Sequence, residues 1–193
     1  MKKGTIVIIA VVAILALWGI TGYNGLVTQE EKVETEWAQV ETQYQRRADL
    51  IPNLVSTVKG YASHEKETLN AVIQARSQAT QIKVDASNLT AEKLAEFQQA
   101  QGAVSSALGK LLAISENYPD LKANDQFLGL QNQLEGTENR IGVARTRFNE
   151  VAKTYNTTIR RFPKNILAGI FGFDKRPYFE ADAGSEKAPS VEF

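Results

Sequence analysis

The chain has 193 residues, enough for one ordinary domain and too few for two large ones. Its 22 lysine and arginine residues balance 22 aspartate and glutamate residues, so it lacks the strongly basic face of a nucleic-acid-binding protein. The absence of cysteine excludes disulfide bonds, thiolate catalysis and thiolate metal sites. We therefore expect no nucleic-acid partner.

An apolar segment near the N-terminus has the composition of a membrane anchor. Lys2 and Lys3 precede a stretch without charge from Thr5 to about Val27. Roughly 20 apolar residues are needed to cross a bilayer core of about 30 Å, so the length suffices. A cleaved signal peptide is the alternative, but the residues after the apolar run lack the small-residue pattern of a cleavage site. We predict an uncleaved transmembrane anchor within residues 1–22.

The charges beside this segment predict its orientation in the bacterial cytoplasmic membrane. Lysine and arginine close to a span favour the cytoplasmic side. Lys2 and Lys3 lie on the N-terminal side, whereas only Lys32 lies close to the span on the other side. We expect a single-pass protein with a cytoplasmic N-terminus, an extracytoplasmic C-terminal domain and the lipid bilayer as a partner.

Apolar residues at alternating steps of three and four predict long helices after the anchor. The stripe that leaves the anchor predicts a first soluble helix that ends near Arg47. Asp49 as an N-cap and Pro52 in the first turn then predict a second helix that reaches about Gln81. Residues 83–89 lose the period and predict a turn.

Two further helices complete the pattern. Thr90 is the expected N-cap of a third helix that ends before Pro119. Asn124 or Asp125 is the expected cap of a fourth, whose end should project beyond its neighbours and whose 36-residue stripe would be roughly 54 Å long. That stripe contains Phe127, Leu130, Leu134, Thr137, Ile141, Ala144, Phe148, Val151, Tyr155, Thr158 and Phe162.

The connections between these helices predict how they are arranged. Short links between long helices favour antiparallel neighbours. The predicted fold class is all-α: an N-terminal transmembrane helix running into an antiparallel up-down bundle of long helices in residues 23–173. A disordered, flexible C-terminal tail is predicted for residues 174–193 because glycine, proline, serine and charged residues replace the apolar period there. In this topology the fourth helix returns to the membrane.

The segment that follows the fourth helix is a candidate contact site. Apolar residues ringed by lysine and arginine are typical of an interfacial membrane anchor or a partner-docking patch. The alternative is that the segment folds back and caps the bundle, and both interpretations stay open. The residues assigned to membrane or partner contact are Arg160, Arg161, Lys164, Ile166, Leu167, Ile170, Phe171 and Phe173.

Four glycines suggest close helix packing. Gly102 and Gly109 lie seven residues apart on the third helix, and Gly129 and Gly136 lie seven apart on the fourth. Glycine costs about 1 kcal/mol relative to alanine inside a helix, so matched spacing indicates a packing reason. The contact can lie within one chain or between two chains.

The sequence contains no candidate catalytic, cofactor-binding or metal-binding residue. His64 is the single histidine, and no HExxH pattern, phosphate loop or glycine-rich dinucleotide fingerprint accompanies it. Glu135 and Glu138 read as partners of helix-surface ion pairs. We expect no enzyme activity, no cofactor and no small-molecule substrate.

Several phrases of the sequence resemble the LemA family of bacterial membrane proteins. They are YNGLV at 23–27, QRRADLIPNLVSTVKGYASHE at 45–65, ENYPDLKAN at 116–124 and LQNQLEGTENRIGVAR at 130–145. The resemblance covers most of the chain. It implies one N-terminal transmembrane helix, a largely helical antiparallel bundle and no established enzymatic activity or cofactor. Some members are associated with the formation of membrane organelles.

The matched phrases also contain a group of polar residues with a candidate structural role. The group consists of Arg46, Arg47, Asp49 and Asn53. The favoured interpretation is a hydrogen-bond network between helices at the turn farthest from the membrane.

Together these features predict a non-catalytic, membrane-anchored helical scaffold or protein-interaction module of the bacterial cell envelope. A protein partner or a homo-oligomer is expected. The alternative is an adaptor or regulatory subunit that presents its C-terminal tail to a membrane protease or transporter.

Overall fold

The computed structural model describes residues 3–180, and within this range it contains helices but no strand. The all-α prediction is confirmed. The helices are α1 (Lys3–Tyr61), α2 (Lys66–Gln81), α3 (Ala91–Ser115), α4 (Pro119–Lys122), α5 (Asp125–Arg160) and α6 (Lys164–Phe171), with one 3-10 turn at Ala86–Asn88.

The long helices form an up-down bundle, as the sequence predicts. Helix α5 runs antiparallel to α1 along most of the length of the bundle, while α2 packs against α3. At one end the Asn124 amide donates to the Tyr61 hydroxyl at 3.0 Å, and at the other the Thr158 hydroxyl donates to the Gln29 side chain at 3.2 Å. We call these the distal end and the anchor end of the bundle.

The boundary between the first two predicted helices is wrong. Helix α1 does not end near Arg47; it passes through Pro52 and ends at Tyr61. Proline has no N–H to donate to the carbonyl four residues earlier, which here belongs to Ala48. The Arg76 side chain of α2 donates to that carbonyl at 2.7 Å. A tertiary hydrogen bond thus replaces the missing helical one, and the helix continues.

The predicted starts of the third and fourth helices, α3 and α5, agree with the structure. The Lys93 backbone N–H donates to the Thr90 hydroxyl at the start of α3, at 3.3 Å. The Phe127 backbone N–H donates to the Asn124 side chain at the start of α5, at 2.9 Å. Both are N-caps in which a side-chain oxygen satisfies one of the orphan donors of the first turn.

The core consists of two clusters of buried apolar side chains. The distal cluster joins α1, α2, α3 and α5 and includes Ile51, Val58, Leu111 and Phe127. The anchor-side cluster joins α1, α5, α6 and residues near the start of α3. It is rich in aromatic rings and contains Trp37, Tyr44, Phe97, Phe148, Tyr155 and Phe179.

The predicted tail needs a correction between residues 174 and 180. This segment packs along α5 rather than leaving the bundle, and the Phe179 side chain is only 6% exposed. Asn149 donates to the Phe179 carbonyl and accepts from its N–H, both at 2.9 Å. Asn156 makes the same pair of bonds to the backbone of Arg176, both at 2.8 Å. The rest of the predicted tail, 181–193, lies outside the described residues.

The end of α5 also differs from the prediction. Its last turns do not project beyond the bundle, because α1 and the segment 174–180 cover them and Tyr155 is fully buried. Ala152 and Ile159 are buried, whereas Val151 and Thr158 are only partly so. Phe162 lies past the end of the helix and is 81% exposed.

Candidate interaction site at the anchor end and the polar layer above it

Helix α6 packs against α1 where the apolar anchor segment ends. Leu167 and Ala168 are buried in this contact. Leu167 lies so close to Gly22 that a methyl group on Gly22 would clash with its Cδ1 atom. The Tyr23 ring meets the rings of Phe171 and Phe173, with centroids 4.8 and 5.7 Å apart. Glycine at position 22 therefore leaves room for the Leu167 side chain against α1.

The remaining apolar side chains of this segment are uncovered. Ile166 is 48% exposed, Ile170 is 69% exposed and Phe171 is 55% exposed, although the Phe171 ring touches Tyr23. The structure thus divides the predicted contact residues. Leu167 belongs to the bundle and Phe173 is half-buried. Ile166, Ile170 and Phe171 form an exposed apolar surface.

The predicted cations lie around this surface. Arg160 ends α5 and is exposed, as is Arg161, while Lys164 begins α6 and is half-buried beside α1. Lys164 Nζ would lie 3.9 Å from a Cβ atom placed at Gly25. The cations of the segment therefore lie at the same end of the bundle as the exposed apolar residues.

Arg176 fastens the C-terminal segment to the anchor end of the bundle. Its guanidinium donates to the Glu30 carboxylate at 2.7 Å and to the Ser87 carbonyl at 3.0 Å. It also lies over the Tyr155 ring, 6.0 Å from the centroid. The residue is only 7% exposed, and its backbone is held by Asn156. One buried cation thus connects α1, the 82–90 loop and the C-terminal segment.

Tyr155 beneath this cation has a perturbed acidity. Burial is the largest cause that raises the pKa of the Tyr155 phenol to about 12, the Glu30 carboxylate adds to it, and Arg176 opposes both. The phenol oxygen has no hydrogen-bond partner within residues 3–180. A buried hydroxyl without a hydrogen-bond partner costs free energy of desolvation, so the Tyr155 hydroxyl lowers the stability of the anchor-side cluster.

Arg47 forms the centre of a polar layer between the two apolar clusters. Its guanidinium donates to the Gln101 side chain at 2.6 Å, the Gln101 carbonyl at 3.0 Å, the Ser105 hydroxyl at 2.7 Å and the Glu138 carboxylate at 2.9 Å. It also lies 5.0 Å from the centroid of the Tyr44 ring. Arg47 is 1% exposed. The layer therefore ties α1 to α3 and α5 at one fixed register.

The other three predicted polar residues do not join this layer. Arg46, Asp49 and Asn53 are exposed on α1, and Asp49 accepts a bond from Gln45 on the same helix. The layer also lies well short of the distal turn, because α1 continues past it to Tyr61.

The sequence reasoning missed Gln101 and Ser105 as partners of Arg47 and placed Glu138 only in an ion pair on the helix surface. Gln101 follows Phe97 and precedes Val104 on the apolar stripe of α3, so it is a polar residue at a core position. Thr137 occupies the equivalent place in the stripe of α5 and is fully buried. Polar residues that interrupt two stripes at matching heights are the signal that would have indicated a buried layer.

In residues 3–180 no three histidine, aspartate or glutamate side chains lie close enough together to hold a metal ion. His64 is exposed in the turn between α1 and α2. One described helix, α1, is long and apolar enough to cross a membrane, and every residue from Lys3 to Leu17 is exposed along it. Such a segment fits a membrane anchor.

Fold and site together define an all-α bundle with a long apolar N-terminal helix and a buried polar layer. The LemA family profile matches residues 36–193, and the chain belongs to this family. A magnetosome protein MamQ 2 of Paramagnetospirillum magneticum is 29% identical over 190 residues, covering 90% of this chain and 70% of its own. MamQ of Magnetospirillum gryphiswaldense is 28% identical, and the match covers 95% of this chain and 76% of that protein. A LemA protein of Metamycoplasma hominis is 25% identical, and the match covers 75% of this chain and 63% of that protein.

Proposed function

We propose that this protein is a membrane-anchored helical scaffold of the bacterial cell envelope that self-associates or binds a partner protein through its bundle. The observation that carries the proposal is the continuity of α1, which runs as one helix from the apolar anchor segment to the distal turn. Because α5 packs along it, a stiff bundle surface is held at a fixed distance from the membrane. Display of a surface, rather than chemistry, is what this architecture provides.

Features on the outer faces of α3 and α5 support contact with another protein. A Cβ atom added at Gly102, Gly109 or Gly129 would meet nothing within 4 Å, so these glycines do not serve packing inside the chain. At Gly136 an added Cβ meets only the Arg140 side chain, at 3.7 Å or more. Of the two alternatives that the sequence left open, contact between chains is therefore the one we adopt.

The relatives support a role at a membrane. Two of those above are named as magnetosome proteins, and the apolar start of α1 is consistent with a role at a bacterial membrane. For orientation, Lys2 and Lys3 support a cytoplasmic N-terminus and an extracytoplasmic bundle in the inner membrane. A phosphatase reporter fused after Phe193 tests this orientation. Activity is expected outside the cytoplasm, and a reporter active only inside would reverse the topology.

Cysteine crosslinking in native membranes tests the scaffold. The chain has no cysteine of its own, so Gly109→Cys and Gly129→Cys introduce single reactive sites on the proposed contact faces. Thr42→Cys, exposed on α1, is the matched control. We expect crosslinked dimers or one defined hetero-complex from the glycine positions and little from the control. Only uncrosslinked monomer at all three positions would contradict the proposal.

The adaptor alternative requires a more careful truncation than the whole predicted tail. Removing residues 175–193 would take Arg176 and Phe179 out of the folded bundle. A stop after Glu180 leaves these contacts in place. A scaffold that assembles through its bundle should keep its crosslinks in this truncated chain, whereas an adaptor that presents its tail should lose its partner.

A further inference from the structure

The height of α6 relative to a membrane follows from its contacts with α1. Between Lys3 and Glu30, α1 carries no charged residue. A span that starts after Lys3 crosses the bilayer core in roughly 20 residues and therefore leaves it near Tyr23. Trp18 and Tyr23 lie at that height, where aromatic side chains typically occupy the membrane–water interface. Since Leu167 packs on Gly22, α6 lies at the level of the lipid headgroups.

The surface of α6 has the composition that this level favours. Ile166 and Ile170 lie on one flank of the helix, while Leu167 and Ala168 face the bundle. From residue 160 to 175 the chain has four cations and a single acidic residue, Asp174. A short apolar helix with flanking lysine and arginine binds at an interface through apolar burial together with attraction to anionic lipid.

We propose that α6 is a second membrane contact of this protein, inserted into the headgroup region of the bilayer that α1 spans. The exposed flank with Ile166 and Ile170 enters the outer edge of the acyl chains, and Arg160, Arg161 and Lys164 reach the phosphates of anionic phospholipids. The contact would fix the tilt of the bundle, because α6 joins both α1 and the end of α5. The inference rests on the anchoring in the proposed function and does not depend on self-association.

The bilayer is favoured over the other two occupants of this surface. The bundle itself covers Leu167 and Ala168 but leaves Ile170 69% exposed. A soluble partner would have to enter the headgroup layer to reach a helix that is fixed beside Gly22. Lipid, in contrast, is already present at that height wherever α1 spans the membrane.

Fluorescence quenching in nanodiscs tests the contact with the full-length chain. Ile170→Cys and Asn165→Cys place an environment-sensitive dye on two exposed positions of α6, about 140° apart around the helix at 100° per residue. Lipids that carry a quencher near the headgroup should quench the dye at position 170 at least twice as strongly as at 165. The triple substitution Arg160→Gln, Arg161→Gln, Lys164→Gln should weaken this quenching in bilayers that contain phosphatidylglycerol. Circular dichroism of each variant checks that the bundle is folded.

The controls separate the possible outcomes. Val11→Cys should be quenched by lipids that carry the quencher deep in the acyl chains; if it is not, α1 does not span, and the anchoring fails together with this inference. Quenching at Val11→Cys with equal, weak quenching at positions 165 and 170 overturns the α6 contact alone. A dye at position 170 that is shielded from aqueous iodide but not quenched by lipid also overturns it, since a protein would then cover the helix.

Discussion

At the scale of single residues, the bundle depends on a buried guanidinium whose partners are distant in the sequence. Arg47 donates the hydrogen bonds that hold the polar layer together. Its acceptors Gln101, Ser105 and Glu138 lie 54 to 91 residues away in sequence. A buried charge is tolerated when its donors are satisfied, but its removal leaves the partners without a donor. Loss of the Arg47 side chain is therefore expected to destabilise the packing of α1 against α3 and α5.

Replacement of Arg47 tests this account. We expect Arg47→Met to lower the free energy of unfolding by about 2–4 kcal/mol, because buried Gln101 acceptors lose their donor. Arg46→Met, one residue earlier and exposed, should change it by less than about 0.5 kcal/mol. Urea unfolding of the full-length chain in detergent, followed by circular dichroism, measures both. Similar effects of the two substitutions would show that the polar layer does not stabilise the bundle.

Tyr155 gives the stability a dependence on pH. The folded-state pKa of the phenol is about 12, above its ordinary value of 10, so the folded state holds the proton more tightly than the unfolded state. The resulting stability is complete below pH 10 and is lost as the pH rises through 12. We expect a loss of about 2 kcal/mol over this window, relative to Tyr155→Phe. Near pH 7 the phenylalanine variant should be as stable as the native chain or more so, because the buried hydroxyl lacks a partner.

The measurement is the difference in unfolding free energy between the two proteins at several pH values from 8 to 12. Taking the difference cancels the titration of the lysines and of the other tyrosines. A difference that stays constant over the whole range would contradict the raised pKa of Tyr155.

At this scale the sequence identified residues with a structural role more reliably than it identified the residues that they contact. Arg47 was among the four predicted polar residues, but nothing near it in the chain distinguishes it from exposed Arg46. The distinction comes from α3 and α5, which approach one side of α1 only. Phe179 shows the reverse case, since it lies in a stretch with the composition of a loop and is buried by Trp37 and Phe148.

At the scale of helices, local signals predicted the starts of α3 and α5, which depend on local caps. Thr90 and Asn124 cap α3 and α5 through residues three positions ahead. Pro52 was read by the same local rules as the start of a new helix. Pro52 does not interrupt α1, because the Arg76 side chain donates to the Ala48 carbonyl. Arg76 lies 28 residues further along the chain. A helix boundary that depends on a tertiary hydrogen bond is invisible to local rules.

A double-mutant cycle tests the role of Arg76. Arg76→Leu leaves the Ala48 carbonyl without a donor and should cost about 1–2 kcal/mol of unfolding free energy. Pro52→Ala restores the N–H that bonds this carbonyl within the helix. In the Pro52→Ala background, Arg76→Leu should therefore cost clearly less, with a coupling energy of at least about 0.5 kcal/mol. An equal cost in both backgrounds would mean that Arg76 acts through other contacts.

At the scale of the whole molecule, the two core clusters and the polar layer make one stiff body attached to the apolar segment. The attachment is twofold, since α1 continues without a break and α6 returns to pack on Gly22. The sequence predicted the directions of the helices, and therefore that the end of α5 lies near the anchor. It did not predict that residues 174–180 also return there, because their binding depends on Asn149 and Asn156 of α5.

This architecture predicts that the bundle stands away from the membrane rather than lying on it. Residues 30–61 of α1 alone extend roughly 50 Å at about 1.5 Å per residue. We expect a donor dye on His64→Cys, in the distal turn, to show weak energy transfer to acceptors in the headgroups of a nanodisc. A dye on Thr28→Cys, exposed on α1 just past the apolar segment, should show strong transfer. Equal transfer from both positions would mean that the bundle folds down onto the bilayer, and a stand-off scaffold would then be the wrong description of this protein.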